Sequence, residues 1–283
     1  MNKRNFILVG AVLLGLWGTG ALADPLVLRV ISLSPIITET IYLLGAQEKL
    51  IANTTYCNFP VAARSLEKIG SVTQMNVEKI IRLAPDLVIA SALSREKQLK
   101  ILEQQSIPVF RARNPKTFEQ MCEMTLEIGT ILEQKQRARI IVETAQKNAR
   151  RIFEGTRNLP KPRVFLQIGL KPLHSANKEM FINEYIRYCG GINIAENESS
   201  GIYSREKVIQ ENPNVILIAT MGTSKRAGKL ERQKWMGFKS IDAVKKNRVH
   251  VLDPEMILSP TPETFVKGLE VVFPLLHPGE KNE

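Results

Sequence analysis

The chain has 283 residues, 44% of them hydrophobic and 24% charged, with a formal charge of +11 and three cysteines. This is too apolar for a disordered chain and too long for one small core, and it suits two lobes. A basic excess fits an anionic ligand, an anionic lipid surface or nucleic acid, but no nucleic-acid motif occurs, and three cysteines allow at most one internal disulfide.

Residues 1–23 read as a signal peptide. Lys3 and Arg4 form a short basic region, and an apolar run follows from Phe6 to Trp17. That run falls short of the roughly 20 residues a membrane-spanning helix needs. Ala21-Leu22-Ala23 is an A-x-A cleavage site, with Asp24 the first mature residue. No cysteine lies near the site, which disfavours a lipoprotein. Export into the periplasm follows, and export argues against nucleic acid. Cys57, Cys122 and Cys189 contain no C-x-x-C pair and read as buried small hydrophobes.

The next segments alternate between strand and helix. An apolar strand is predicted over 27–33. Ser34-Pro35 then starts a helix, with Ser as N-cap and Pro at the first helical position, and Gly45 ends it. A strand at 49–54, a helix at 76–84, a strand at 86–90, a helix at 95–105 and a strand at 107–111 complete a β-α-β series. Such an order predicts a parallel sheet with right-handed crossovers. Thr117-x-x-Gln120 and Thr130-x-x-Glu133 both resemble capping boxes. From 131 to 154 no Gly or Pro interrupts, and Ala138, Ile141, Val142, Ala145, Ala149, Ile152 and Phe153 share one helical face. That helix would span roughly 36 Å and act as a strut between lobes. A strand at 163–168 opens a second lobe, with a helix at 181–189 ending at Gly190-Gly191. Residues 221–234 are polar and basic with two glycines, so a mobile loop is predicted there. A strand at 248–252 and a helix at 262–275 close the chain.

One unit occurs twice. Residues 76–91 read NVEKIIRLAPDLVIAS and residues 204–219 read SREKVIQENPNVILIA. Glu78 aligns with Glu206, Lys79 with Lys207, Ile81 with Ile209 and Pro85 with Pro213. Each copy passes from helix through Pro to a continuous apolar run, as a strand buried on both faces requires. RVISLS (29–34) and RVFLQI (163–168) form a second pair. The fold class is therefore α/β, with two similar Rossmann-like lobes, at 24–128 and 158–283, joined by one long helix at 129–157. A cleft between them is the natural ligand site.

Five stretches in order, RVISLSPIITETIYLLGA, MNVEKIIRLAPDLVIA, RVFLQIG, YCGGINI and YSREKVIQENPNVILIA, resemble the class III periplasmic substrate-binding proteins of ABC importers, which serve cobalamin, siderophore and haem uptake. The likeness covers nearly the whole mature chain and is greatest to the cobalamin-binding members. It implies a monomer that carries a small-molecule ligand, a corrinoid in the first instance, to a permease dimer in the inner membrane. The family's docking glutamates match Glu78 and Glu206, which would meet permease arginines in bidentate, orientation-specific pairs. Its cleft tryptophans and phenylalanine fall on Val72, Ser91, Ser200 and His174, so most flat aromatic walls are missing, while Tyr56 matches an aromatic cleft residue. Gln74, Met75, Lys171, Tyr203, Met221 and Met256 are further candidates on loops facing the cleft. Cys189 matches one half of a family disulfide whose other half falls on Val272, so that bridge is not expected. Haem or a ferric siderophore stands as the alternative ligand, and the positive charge favours an anionic one.

No resident cofactor or metal site is expected. Imidazole can ligate cobalt or iron, which keeps His174 of interest, but His174, His250 and His277 form no ligand-spaced cluster. An exported enzyme on the same fold is the different-class alternative, yet no G-x-S-x-G, phosphate-binding loop, H-E-x-x-H or Ser-His-Asp set appears.

Overall fold

A computed structural model describes residues 29–220 and 225–280. The predicted signal peptide, its cleavage after Ala23, and Met221 lie outside the described residues.

The first lobe runs β1 (Val30–Ser32), α1 (Pro35–Leu43), β2 (Leu50–Asn53), β3 (Glu67–Lys68), α2 (Val77–Leu83), β4 (Leu87–Ala90), α3 (Glu96–Gln104) and β5 (Val109–Arg111). Its sheet has the order β3-β2-β1-β4-β5, parallel throughout. Two helices follow, α4 (Phe118–Ile131) and α5 (Lys135–Gly155). The second lobe runs β6 (Arg163–Leu170), β7 (Leu173–Ser175), α6 (Asn183–Tyr188), β8 (Ile192–Asn193), α7 (Arg205–Glu211), β9 (Val215–Ile218), α8 (Lys225–Trp235), α9 (Asp242–Lys245), β10 (Val249–Val251), α10 (Pro254–Leu258) and α11 (Pro262–Leu276). Here β8, β6, β9 and β10 are parallel, and β7 pairs with β6 in the opposite sense. The sheets are parallel as the sequence predicts, and β7 adds one antiparallel strand. Only Lys171 and Pro172 separate β6 from β7, and two residues can make a hairpin but not a crossover.

The repeated unit is repeated in its bonds as well as its letters. Asn76 and Ser204 cap α2 and α7 by accepting from the backbone N–H of Lys79 and Lys207. Ala84 and Asn212 end the two helices in the left-handed conformation, at φ 44° and 45°. The backbone N–H of Arg29 donates to Asp86 Oδ2 and that of Arg163 to Asn214 Oδ1, both at 2.9 Å. Each Arg side chain also donates to a carbonyl at the end of the preceding helix, Leu83 or Glu211. β4 and β9 are buried along their whole length.

Four sequence expectations change. Ser34 occupies the N-cap of α1 but its side chain makes no capping bond; its carbonyl accepts from Ser32 Oγ at 3.0 Å. Thr117 accepts from the Gln120 N–H, but Gln120 Oε1 takes the N–H of Lys116, so the capping box is half formed. Thr130 starts no helix. It lies inside α4, its hydroxyl bonded back to the Leu126 carbonyl, and Glu133 at φ 62° breaks the chain before α5. Residues 225–235 form α8 rather than a loop.

α5 is the long strut helix that the sequence predicts, and α4 runs beside it. The first half of α4 (Phe118, Met121, Cys122) packs in the core of the second lobe and the last half (Met124, Ile128) in that of the first. α5 returns the other way, with Ala138 in the first core and Val142, Ala145, Ala149 and Ile152 in the second. A Cβ on Gly129 would lie 2.5 Å from the Cβ of Ala138, so glycine sets how closely the two approach. α11 packs along both. All three cysteines are buried and free, and Val272 is buried in the same core cluster as Cys189.

Candidate functional site

In open α/β sheets, ligands collect at the carboxyl ends of the strands. The loops at that edge of both lobes meet around a cavity of about 550 Å³, within the range of ligand pockets. The first lobe supplies Pro35 and Glu39 from α1 and Thr55, Tyr56, Asn58 and Phe59 from the loop after β2. The second supplies Pro254, Glu255, Leu258 and Ser259 from α10 and its end.

The Tyr56 loop is held from behind. Thr38 Oγ1 on α1 lies 2.8 Å from Ser32 Oγ and 3.2 Å from Cys57 Sγ. Lys68 Nζ donates to Asn53 Oδ1 at 2.6 Å and to the Ala63 carbonyl at 3.0 Å. Partial burial lowers the Lys68 pKa. With its backbone fixed, the loop can leave Tyr56 61% exposed and Phe59 43% exposed toward solvent. Aromatic rings held open on a rigid loop suit stacking against a flat, apolar ligand.

Glu39 is the unusual member. It is only 7% exposed and makes no side-chain hydrogen bond among the described residues. Burial, with the Glu255 carboxylate nearby, pushes its pKa up to about 8. The adjacent Tyr185 hydroxyl is engaged with the Met256 carbonyl at 3.3 Å, and burial raises its pKa well above the usual value.

Among the described candidate residues read from sequence, Tyr56 alone lines this cavity. Val72 and Gln74 lie in the turn after β3, where the Gln74 N–H donates to Ser71 Oγ. Ser91 follows β4 and accepts from the Leu93 N–H. Lys171 is exposed in the β6–β7 hairpin, and Ser200 is exposed and bonded to the Ile202 N–H. His174 sits in β7, opposite Gly169 and bridged to Ile202.

Three candidates sit away from this cavity. Met75 is buried in the first-lobe core with Ile80. Tyr203 is buried in the second-lobe core with Val208, its ring 5.3 Å from that of Phe165. Each precedes the N-cap of a repeated helix and packs against a residue one turn in, a hydrophobic staple. Met256 lines a separate cavity of about 690 Å³ inside the second lobe, beside Arg232 and His250. Glu39, Phe59 and Glu255 went unread. The signal for Glu39 is present, since it is the only charged residue between Arg29 and Glu48.

Glu78 and Glu206 occupy the first turns of α2 and α7, both exposed. Their neighbours are taken up elsewhere, Lys79 by Glu67 and Lys207 by Glu198. Neither carboxylate is in an ion pair among the described residues. Bonds from its own backbone and from Ser204 hold the Glu206 carboxyl below the usual range. The described residues contain no cluster of three or more potential metal ligands, and no helix among them is long and apolar enough to cross a membrane.

A family model described as periplasmic binding protein matches residues 30–256. The vitamin B12-binding protein of Vibrio vulnificus (strain CMCP6) is 31% identical over 248 residues, which is 84% of this chain and 86% of that one. An uncharacterized ABC transporter substrate-binding lipoprotein of Bacillus subtilis (strain 168) is 27% identical over 258 residues, 88% of this chain and 80% of that one. The crystal structure of a periplasmic haem-binding protein from Pseudomonas aeruginosa superposes with a TM-score of 0.80 at 24% identity, covering 90% of this chain and 95% of that one.

Proposed function

The chain belongs to the periplasmic binding protein family, the substrate-binding class of ABC importers, and we propose that it captures a corrinoid in the periplasm and delivers it to the permease as a monomer. The observation that carries this reading is the cavity between the lobes, with Tyr56 and Phe59 on one wall and Pro254 and Leu258 on the other. Apolar, aromatic walls suit a large ring, and the named likeness to vitamin B12-binding relatives favours a corrin. Glu78 and Glu206, at equivalent positions of the two lobes, would engage arginines of the two permease subunits. A haem or ferric-siderophore ligand is the second reading, favoured by the formal charge of +11.

Calorimetry of the purified protein against cyanocobalamin, cobinamide, haemin and ferric siderophores tests the ligand. One-to-one corrinoid binding is the expected result, and haemin or siderophore binding without corrinoid binding transfers the assignment to the second reading. In a reconstituted importer, Glu78→Ala with Glu206→Ala should abolish ligand-stimulated ATP hydrolysis while ligand affinity stays unchanged. Undiminished stimulation would remove the docking role.

A further inference from the structure

The cleft carries a charge pattern opposite to that of the chain. Two carboxyl groups line it, Glu39 from one lobe and Glu255 from the other, and among the described residues no Lys, Arg or His lines it with them. Glu39 is more than nine-tenths buried, faces the cavity and has no hydrogen-bond partner among the described residues. A carboxyl that loses the cavity's water when a ligand binds must have its hydrogen bonds replaced. The open side is the ligand side, so the missing partner is one a ligand can bring.

Resting on the assignment of this cleft as the ligand site, we infer that Glu39 and Glu255 form a polar subsite that accepts hydrogen bonds from an amide-bearing or cationic edge of the ligand and rejects a ring carrying free carboxylates. An amide N–H satisfies Glu39 without adding charge. A ligand carboxylate would meet Glu255 across a cleft in which no described lining residue supplies a compensating base, and like charges brought together across an interface repel. The scattered basic surface attracts from a distance, and the two carboxyls select at contact.

Two matched pairs of probes test this: cobinamide with cobyrinic acid, and haemin converted to its diamide with haemin itself. Within each pair the ring is constant and amide replaces carboxylate. The subsite is read within a pair, and the ring assignment between pairs. The wild type should bind the amide member about tenfold or more tightly than the acid member, and Glu39→Gln with Glu255→Gln should bring that ratio toward one. Glu255 is exposed, so Glu255→Gln alone keeps the test open if the double variant fails to fold, and it should lower the ratio by itself. Equal affinities within a pair, or a ratio unmoved by the substitutions, overturn the inference. A haemin-diamide preference with no corrinoid binding removes the corrinoid assignment and leaves the subsite standing. Silence towards all four overturns both.

Discussion

Glu39 links the chemistry of the cleft to the stability of the fold. In the folded chain its carboxyl keeps a proton up to about pH 8, and it would release that proton near 4.5 once unfolded. The folded state therefore binds more protons across that window, and stability falls as pH rises through it. The contribution is fully present below the unfolded value and fully lost above the folded one. The slope should approach about 1.4 kcal/mol per pH unit. Glu39→Gln keeps the shape and removes the titration, so urea melts should show the wild type losing ground to the variant from about pH 5 to pH 8. Parallel curves over that range would mean that Glu39 titrates normally. At this scale the sequence was only half readable. A lone charge in an apolar helix is visible, but the cavity it faces is not, because that cavity is closed by α10 from more than 200 residues away. Met75 and Tyr203 lie in the cores rather than on the cavity for a local reason. Their place before an N-cap turns them inward, and the repeat itself contained that signal.

The two copies of the helix-strand unit were legible because each device in them is local. Cap, left-handed stop, proline and buried strand all follow one another within sixteen letters. α8 was illegible for the opposite reason. The residues it buries are Gly228, Glu231 and Trp235, a stripe with helical spacing but no aliphatic side chain. The stripe is held by bonds to distant elements. Glu231, 1% exposed, pairs with Arg205 of α7 and with Lys234, and accepts from Gln167 Nε2 at 3.0 Å. Trp235 Nε1 donates to Gln167 Oε1 at 2.7 Å, and the Arg205 guanidinium lies 4.4 Å from the Trp235 ring centre. Burial acts to raise the Glu231 pKa, but the bonds from Gln167, Lys234 and Arg205 outweigh it and the net shift is downward. Its contribution is present above the unfolded carboxylate value and is lost as pH falls through the folded one. Glu231→Ala should cost about 3–5 kcal/mol at neutral pH, because it leaves the Arg205 guanidinium without its carboxylate, while Gln167 keeps Trp235 and the Gly169 carbonyl. A chemical melt at pH 7 measures it, and a loss below about 1 kcal/mol would mean that the network is ornamental to the fold.

At the scale of the molecule, the spine decides how far the lobes can move. α4 and α5 each contribute side chains to both cores, and α11 lies against them. Rotating one lobe on the other would have to shear two packed helices, where a single strand or loop would let it hinge freely. Close-packed interfaces deform in small steps rather than continuously. Ligand capture should therefore change the radius of gyration by less than about 1 Å in solution scattering, in contrast to hinged domain closure. Gly129 tests the cause. Its hydrogen faces Ala138 where no Cβ fits, so Gly129→Val should wedge α4 from α5 and cost about 1–3 kcal/mol. If the spine is what fixes the lobes, that variant should also show a larger change in radius on saturation with its ligand than the wild type does. A large change in the wild type itself would mean that motion is carried elsewhere, by the loops over the cleft or by slippage of a whole lobe along α5. A rigid spine also holds Glu78 and Glu206 at a fixed separation whether or not the cleft is occupied. If the proposed docking role holds, the permease would then read ligand occupancy from the edges of the cleft, with these two carboxylates serving only to seat the protein.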